Sequence, residues 1–222
     1  MICVPIIAKH TGEAREKIAR ANPIADILEL RLDHMESFCL EDMLRDTTKP
    51  VIATYRSQRE GGSGSADYTT VARCLLNAID KGADFVDVEF SMPLEFRHRF
   101  HNKRDSCRLI ISAHLLAGTP SHKRLVGLFR ELAATGADIV KIVTYATCWE
   151  DNFRVLELIP KARAEGIKII AFCMGPMGQM SRIFSCLMGG YATFASLDPG
   201  QESAPGQIPV TKMKELLEML SI

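Results

Sequence analysis

The sequence predicts an α/β protein of the (β/α)8 class, a TIM barrel folded as a single domain over residues 1–222. Three observations carry that prediction. Short apolar, β-branched runs alternate along the whole chain with longer amphipathic stretches, the pattern of parallel strands joined by crossover helices. The alternation repeats eight times, which points to a closed barrel more than to an open doubly wound sheet, the alternative that periodicity leaves standing. A length of 222 residues also lies within what one core of this class occupies.

In order, the strand runs are 2–7, 24–32, 51–55, 85–90, 109–113, 139–145, 167–174 and 192–197. Most are apolar at successive positions, as strands covered on both faces are. Helix-type patterning or charge occupies 13–21, 40–45, 71–81, 94–102, 122–135, 151–165, 179–187 and 211–220. Gly82, Gly136 and Gly166 fall where three of these helices end. Lys81-Gly82-Ala83-Asp84, Thr135-Gly136-Ala137-Asp138 and Ala164-Glu165-Gly166-Ile167 read as copies of one helix-to-strand turn.

Composition excludes several function classes. Twenty-seven Lys and Arg balance twenty-seven Asp and Glu, so the surface does not create the basic field that nucleic acid or an anionic membrane requires, and neither partner is expected. Seven cysteines, Cys3, Cys39, Cys74, Cys107, Cys148, Cys173 and Cys186, are scattered and never in a C-x-x-C spacing. They are expected to be reduced and mostly buried rather than paired or bound to zinc. The apolar residues 1–7 lack a basic leader and run soon into charge, so no signal peptide or span is expected and the cytoplasm is the expected location.

In a barrel the working residues lie at the C-terminal strand ends. Residues two apart on a strand share a face, so Glu29 goes with Arg31, Thr54 with Arg56, Ser112 with His114, and Lys141 with Ile139 and Val143. Lys141 is the most informative, because Asp138-Ile139-Val140-Lys141-Ile142-Val143 sets an amine inside an apolar strand. Desolvation disfavours an ammonium, and a neutral amine attacks carbonyls. A solvated strand end or a structural ion pair is the plainer reading of one such lysine. His114, ending the preceding strand, adds a group able to move protons near an imine, although most isolated histidines are structural. Arg31, Arg56 and Arg182 offer guanidinium forks suited to a carboxylate or phosphate, with Glu29 and Glu60 able to orient them. Each arginine alone reads more readily as an ordinary structural ion pair. His98 and His101 belong to a solvated helix face, and no metal site is expected. Residues 198–207 mix Pro, Gly and polar side chains, a composition that suits a lid or a plain surface loop.

Taken together, Glu29-Leu30-Arg31-Leu32-Asp33, Thr54-Tyr55-Arg56 with Glu60-Gly61-Gly62, Asp87-Val88-Glu89, Ser112-Ala113-His114, Asp138-Ile139-Val140-Lys141, Met174-Gly175 with Ser181-Arg182, and Ser203-Ala204-Pro205-Gly206-Gln207 resemble the type I 3-dehydroquinate dehydratases of the shikimate pathway. The likeness runs in order over nearly the whole chain, which is short for the family. It implies that Lys141 forms an imine with the C3 ketone of 3-dehydroquinate, and that His114 takes the C2 proton and protonates the departing C1 hydroxyl, giving 3-dehydroshikimate. By the same resemblance Glu60 orients His114, Arg182 holds the substrate carboxylate with Ser203 and Gln207, and Glu29, Arg31 and Arg56 bind ring hydroxyls or shape the site. It implies no metal or organic cofactor, a small-molecule substrate and a homodimer.

Read from the residues alone, a class I aldolase also places an imine-forming lysine on strand 6, and the lid with Arg182 favours the dehydratase. A catalytically silent binding barrel is disfavoured by the presence of both Lys141 and His114. A nicotinamide enzyme is disfavoured because no G-x-G-x-x-G follows a strand.

Overall fold

The computed structural model describes residues 1–65, 67–103 and 106–220. Across them the order is β1 Ile2–Ile6, α1 Thr11–Ala21, β2 Ile27–Arg31, α2 Leu40–Arg45, β3 Val51–Thr54, α3 Tyr68–Asp80, β4 Phe85–Glu89, α4 Leu94–His101, β5 Arg108–Leu115, α5 His122–Ala133, β6 Ile139–Tyr145, α6 Glu150–Leu156, α7 Leu158–Ala164, β7 Lys168–Met174, α8 Gln179–Leu187, β8 Thr193–Phe194 and α9 Val210–Leu220. All eight predicted strand runs contain a strand. The chain divides into two compact units, Cys3–Ile110 and Met1–Ile2 with Ile111–Ile222.

In the first unit β1 to β4 lie side by side in chain order, parallel, and every residue of the four strands is buried. That burial on both faces is why the runs read as continuous apolar stretches. The register sets Arg31 opposite Thr54 and Thr54 opposite Asp87, so three adjacent strands present polar residues on one face at their C-terminal ends. Helix α3 starts where the Asp67 carboxylate accepts the Thr70 amide at 3.0 Å, and it turns Val71, Ala72, Leu75, Ala78 and Ile79 inward. It stops at Gly82, whose φ of +98° suits a residue without Cβ, while the Ala83 amide donates back to Ala78 O at 3.0 Å. Strand β2 is shorter than the predicted run because the amides of Ile24 and Ala25 still turn back to Ala21 O.

Strand β5 runs across the division at Ile110, and in the second unit β6 and β7 are neighbours, with Lys141 opposite Ile170, Val143 opposite Phe172 and Tyr145 opposite Met174. The helix predicted at 151–165 is two helices, α6 and α7. Pro160 lacks the N–H that would bond Leu156 O, so the ladder breaks there. Strand β8 has two residues, not six. Thr193 N–H bonds Met1 O at 3.0 Å, after which Ser196 exchanges bonds with Ile208 and Val210, diverting the chain from its strand. Helix α7 ends at Gly166, φ +71°, with Ile167 N–H on Ala162 O at 2.8 Å, the same turn as at Gly82.

All seven cysteines are free; three, Cys3, Cys107 and Cys173, are buried. The expectation that most are buried fails because Cys39 lies exposed before the short α2 and Cys74, Cys148 and Cys186 sit half-covered. On α4, His98 is exposed and His101 half-buried. Among the described residues no helix is long and apolar enough to cross a membrane.

Candidate active site

The first unit carries Glu29, Arg31, Arg56 and Glu60, all buried. Arg31 closes its fork on Asp33, Nε to Oδ1 at 2.9 Å and Nη2 to Oδ2 at 2.8 Å. Burial works against its charge, but the Asp33 bonds and the neighbouring Glu29 outweigh that, so its pKa is raised. Asp33 is held below the usual carboxylate range in turn, since the Arg31 pair and the Ser63 amide overcome its burial. His34 completes this corner, with Nε2 3.1 Å from Arg31 Nη2 and Nδ1 3.2 Å from Ser63 Oγ. Burial, then the Arg31 charge, lowers its pKa.

Arg56 stands among three carboxylates: Asp87 at 2.8 Å, Glu89 at 3.2 Å and Glu60 at 3.5 Å. They outweigh its burial and raise its pKa. Glu89 also accepts the Ser57 amide at 2.8 Å, and Glu60 accepts the Ser91 hydroxyl at 2.7 Å. Glu29 accepts from Thr54 Oγ1 at 2.8 Å. The unit therefore brings its four predicted residues into carboxylate-rich surroundings, where the forks of Arg31 and Arg56 already hold acids of this chain. Asp33, Asp87 and Glu89 were not singled out as site residues. The i, i+2 acids that end β4 were the available signal for two of them.

The second unit carries the rest. Lys141 is 3% exposed, and its Nζ lies 4.3 Å from the centre of the Phe194 ring. Phe194 packs at 5.9 Å against Phe172, and Arg182, 1% exposed, lays its guanidinium 4.6 Å over Phe172. The amine and the guanidinium thus rest on one tilted aromatic pair. Those phenylalanines were missed because an aromatic in an apolar strand reads as core.

Arg182 differs from the other two arginines. Among the described residues it has no carboxylate partner: Nη1 reaches Phe194 O at 3.4 Å, Nη2 reaches Pro205 O at 3.3 Å, and Nε is buried without a partner. Burial pushes its pKa down to about 10.

The predicted lid is docked on the same place. Pro205 O accepts the Gly175 amide at 3.0 Å, and a Cβ at Gly206 would meet Gly175 O at 2.1 Å. Ser203 and Gln207 close the turn on themselves, Ser203 N to Gln207 Oε1 at 2.7 Å and Gln207 Nε2 to Ser203 Oγ at 2.8 Å. His114 stands half-buried near the end of β5, on the face of fully buried Ser112. Among the described residues no group of His, Cys, Asp and Glu is arranged to hold a metal ion.

Chemically the second unit offers a buried amine for a carbonyl and a buried cation for an anion. The family model described as Type I 3-dehydroquinase matches residues 2–222. The chain is 34% identical over 222 residues to the 3-dehydroquinate dehydratase of Methanococcus maripaludis strain C5, covering 99% of this chain and all of that one. It is 36% identical over 225 residues to the chloroplastic bifunctional 3-dehydroquinate dehydratase/shikimate dehydrogenase of Arabidopsis thaliana, of which it spans 36%. The crystal structure of 3-dehydroquinate dehydratase from Geobacillus kaustophilus superposes with a TM-score of 0.91 at 28% identity, covering 99% of this chain and 90% of that one. With its eight alternating strand and helix units, the chain has the (β/α)8 barrel fold and belongs to the type I 3-dehydroquinase family, the 3-dehydroquinate dehydratases of the shikimate pathway.

Proposed function

We propose that the chain, as one catalytic domain over 1–222, converts 3-dehydroquinate to 3-dehydroshikimate and water through an imine on Lys141. The amine adds to the C3 ketone and expels water, leaving a protonated imine that draws electrons from C2. His114 takes the C2 proton, the resulting enamine expels the C1 hydroxyl, and His114 returns the proton so that it leaves as water. Hydrolysis of the imine consumes the first water and frees Lys141, so one water is lost overall.

One observation carries this reading: the buried amine of Lys141 shares one aromatic wall with the buried guanidinium of Arg182, which has no carboxylate partner among the described residues. A keto acid has one group for each. Its carboxylate supplies the charge that Arg182 lacks, the Ser203 hydroxyl and Gln207 support it from the lid, and Glu60 orients His114. Glu29, Arg31 and Arg56, held by their own neighbours, shape the pocket for ring hydroxyls. The working form we propose is a cytoplasmic homodimer that takes a small molecule and neither nucleic acid nor membrane, with no metal or organic cofactor in the reaction.

The test mixes purified protein with 3-dehydroquinate and follows the conjugated enone absorbance of the product, then adds borohydride and maps the adduct. Enone formation with the adduct on the Lys141 peptide is expected. Turnover without trapping at Lys141 would remove the imine mechanism.

A further inference from the structure

We infer that Asn152, outside the reacting groups, is a positioning residue that sets where Arg182 starts; this rests on the reading of Arg182 as the carboxylate site. The guanidinium is not pinned by its own bonds, since its two carbonyl contacts are long and its Nε has no partner. Its place therefore depends on how the backbone enters α8. That entry is the segment 175–181, which turns tightly off the end of β7: a Cβ at Gly178 would lie 2.6 Å from Cys173 O.

Two side chains hold the segment. Asn152, fully buried on α6, donates from Nδ2 to Trp149 O at 3.1 Å and to Met177 O at 2.9 Å, and accepts the Ser181 amide on Oδ1 at 3.2 Å. Ser181 Oγ donates to Gly178 O at 2.8 Å and accepts the Cys173 amide at 2.8 Å. Asn152 thus uses both amide hydrogens and its oxygen, joining the helix that follows the Lys141 strand to the residue immediately before Arg182. An amide is the fitting group, because the site demands donors toward two carbonyls and an acceptor toward an N–H from one planar head. Asp, of the same shape, keeps the acceptor and turns the donor side into an oxygen facing carbonyl oxygens.

Asn152→Ala and Asn152→Asp, each checked by thermal melting, are compared with Arg182→Ala and with the double variants in steady-state kinetics. Expected for the Asn152 variants is a KM for 3-dehydroquinate raised about tenfold with kcat within about threefold. The double variants should be no worse than Arg182→Ala, since both changes remove one function. Borohydride labelling of Lys141 with cyclohexanone, a ketone without a carboxylate, should keep its normal rate. If Asn152→Ala does not fold, the isosteric Asn152→Asp carries the test. A folded Asn152→Asp enzyme with normal KM, multiplying effects in the double variant, or a parallel fall in cyclohexanone labelling would each overturn the inference while leaving Arg182 in place. An unchanged KM in Arg182→Ala would instead remove the carboxylate assignment, and this inference with it.

Discussion

Replacing Arg182 by Met separates stability from function, and the structure gives both signs. Burial disfavours the guanidinium's charge and pushes its pKa down to about 10 in the fold. The folded protein thus binds the guanidinium proton less tightly than the unfolded chain does, a cost of about 3 kcal/mol at neutral pH. The cost is complete below pH 10 and fades only as pH rises from there toward the guanidinium's ordinary range. Met keeps much of the volume and removes the charge. It also loses two long carbonyl contacts and the stacking on Phe172, about 1–2 kcal/mol together. The ligand-free variant should therefore gain about 1–2 kcal/mol and melt about 2–6 °C higher. Catalysis should move the other way, since losing a charge-assisted carboxylate pair costs about 2–5 kcal/mol, a fall in kcat/KM of about 30-fold to several thousand-fold. Calorimetry with and without 3-dehydroshikimate, beside steady-state kinetics, reads both, and only wild type should be stabilised by the ligand. A variant that melts lower than wild type, or keeps a normal kcat/KM, would refute the account of Arg182 as a cation waiting for its anion.

Lys141→Ala should abolish turnover and borohydride-dependent labelling, whereas near-normal turnover would end the imine mechanism. His114→Ala should stay folded, lose about 10²–10⁴-fold in kcat and accumulate a covalent adduct visible by mass spectrometry; wild-type turnover would return His114 to a structural role. Gly206→Ala sets a side chain at φ +79° against Gly175 O, at a strain of order 1–3 kcal/mol, so the lid should undock and KM rise, with an unchanged KM counting against the lid. His34 has a lowered pKa, from burial and then Arg31, so the unfolded chain binds its proton more readily. Stability should fall as pH drops below about 6.5, and His34→Gln should flatten that limb; an equal slope in the variant would assign it elsewhere.

How much of this could be read without coordinates follows the distance over which each interaction acts. The Gly82 and Gly166 turns were legible because helix termination is local. The sharing of a face by Glu29 and Arg31, and by Ser112 and His114, followed from strand parity. The Arg31 pair with Asp33 was open to reading, since a single residue separates them, and went unread because both belonged to one quoted motif. Around Arg56 the Glu60 contact, four residues along the chain, was anticipated, whereas Asp87 and Glu89 were not accessible, since they reach Arg56 only through the β3–β4 register. The break at Pro160 was written in the sequence and overlooked, because apolar periodicity continues across it. The brevity of β8 was not, since it depends on the chain pairing with residues 208–210.

The difference among the three arginines has a sequence origin once the frame is known. All three are buried, so desolvation opposes each charge, yet the pKa rises at Arg31 and Arg56 and falls at Arg182. The acids that decide this come from β2, β4 and the turns beside β2 and β3, where Glu29, Asp33, Glu60, Asp87 and Glu89 lie. Neither β6 nor β7 contains an acid, nor does α8. In the docked lid Glu202 is exposed, its carboxylate taking the Gly200 amide at 2.9 Å. The strand ends of the first unit are thus acid-rich, and among the described residues Arg182 in the second unit has no carboxylate partner. A buried charge of that kind lowers stability by itself and persists where a ligand completes it. In the reaction proposed above the substrate carboxylate is that complement, and it sits on C1, two ring carbons from the C3 ketone that Lys141 would attack.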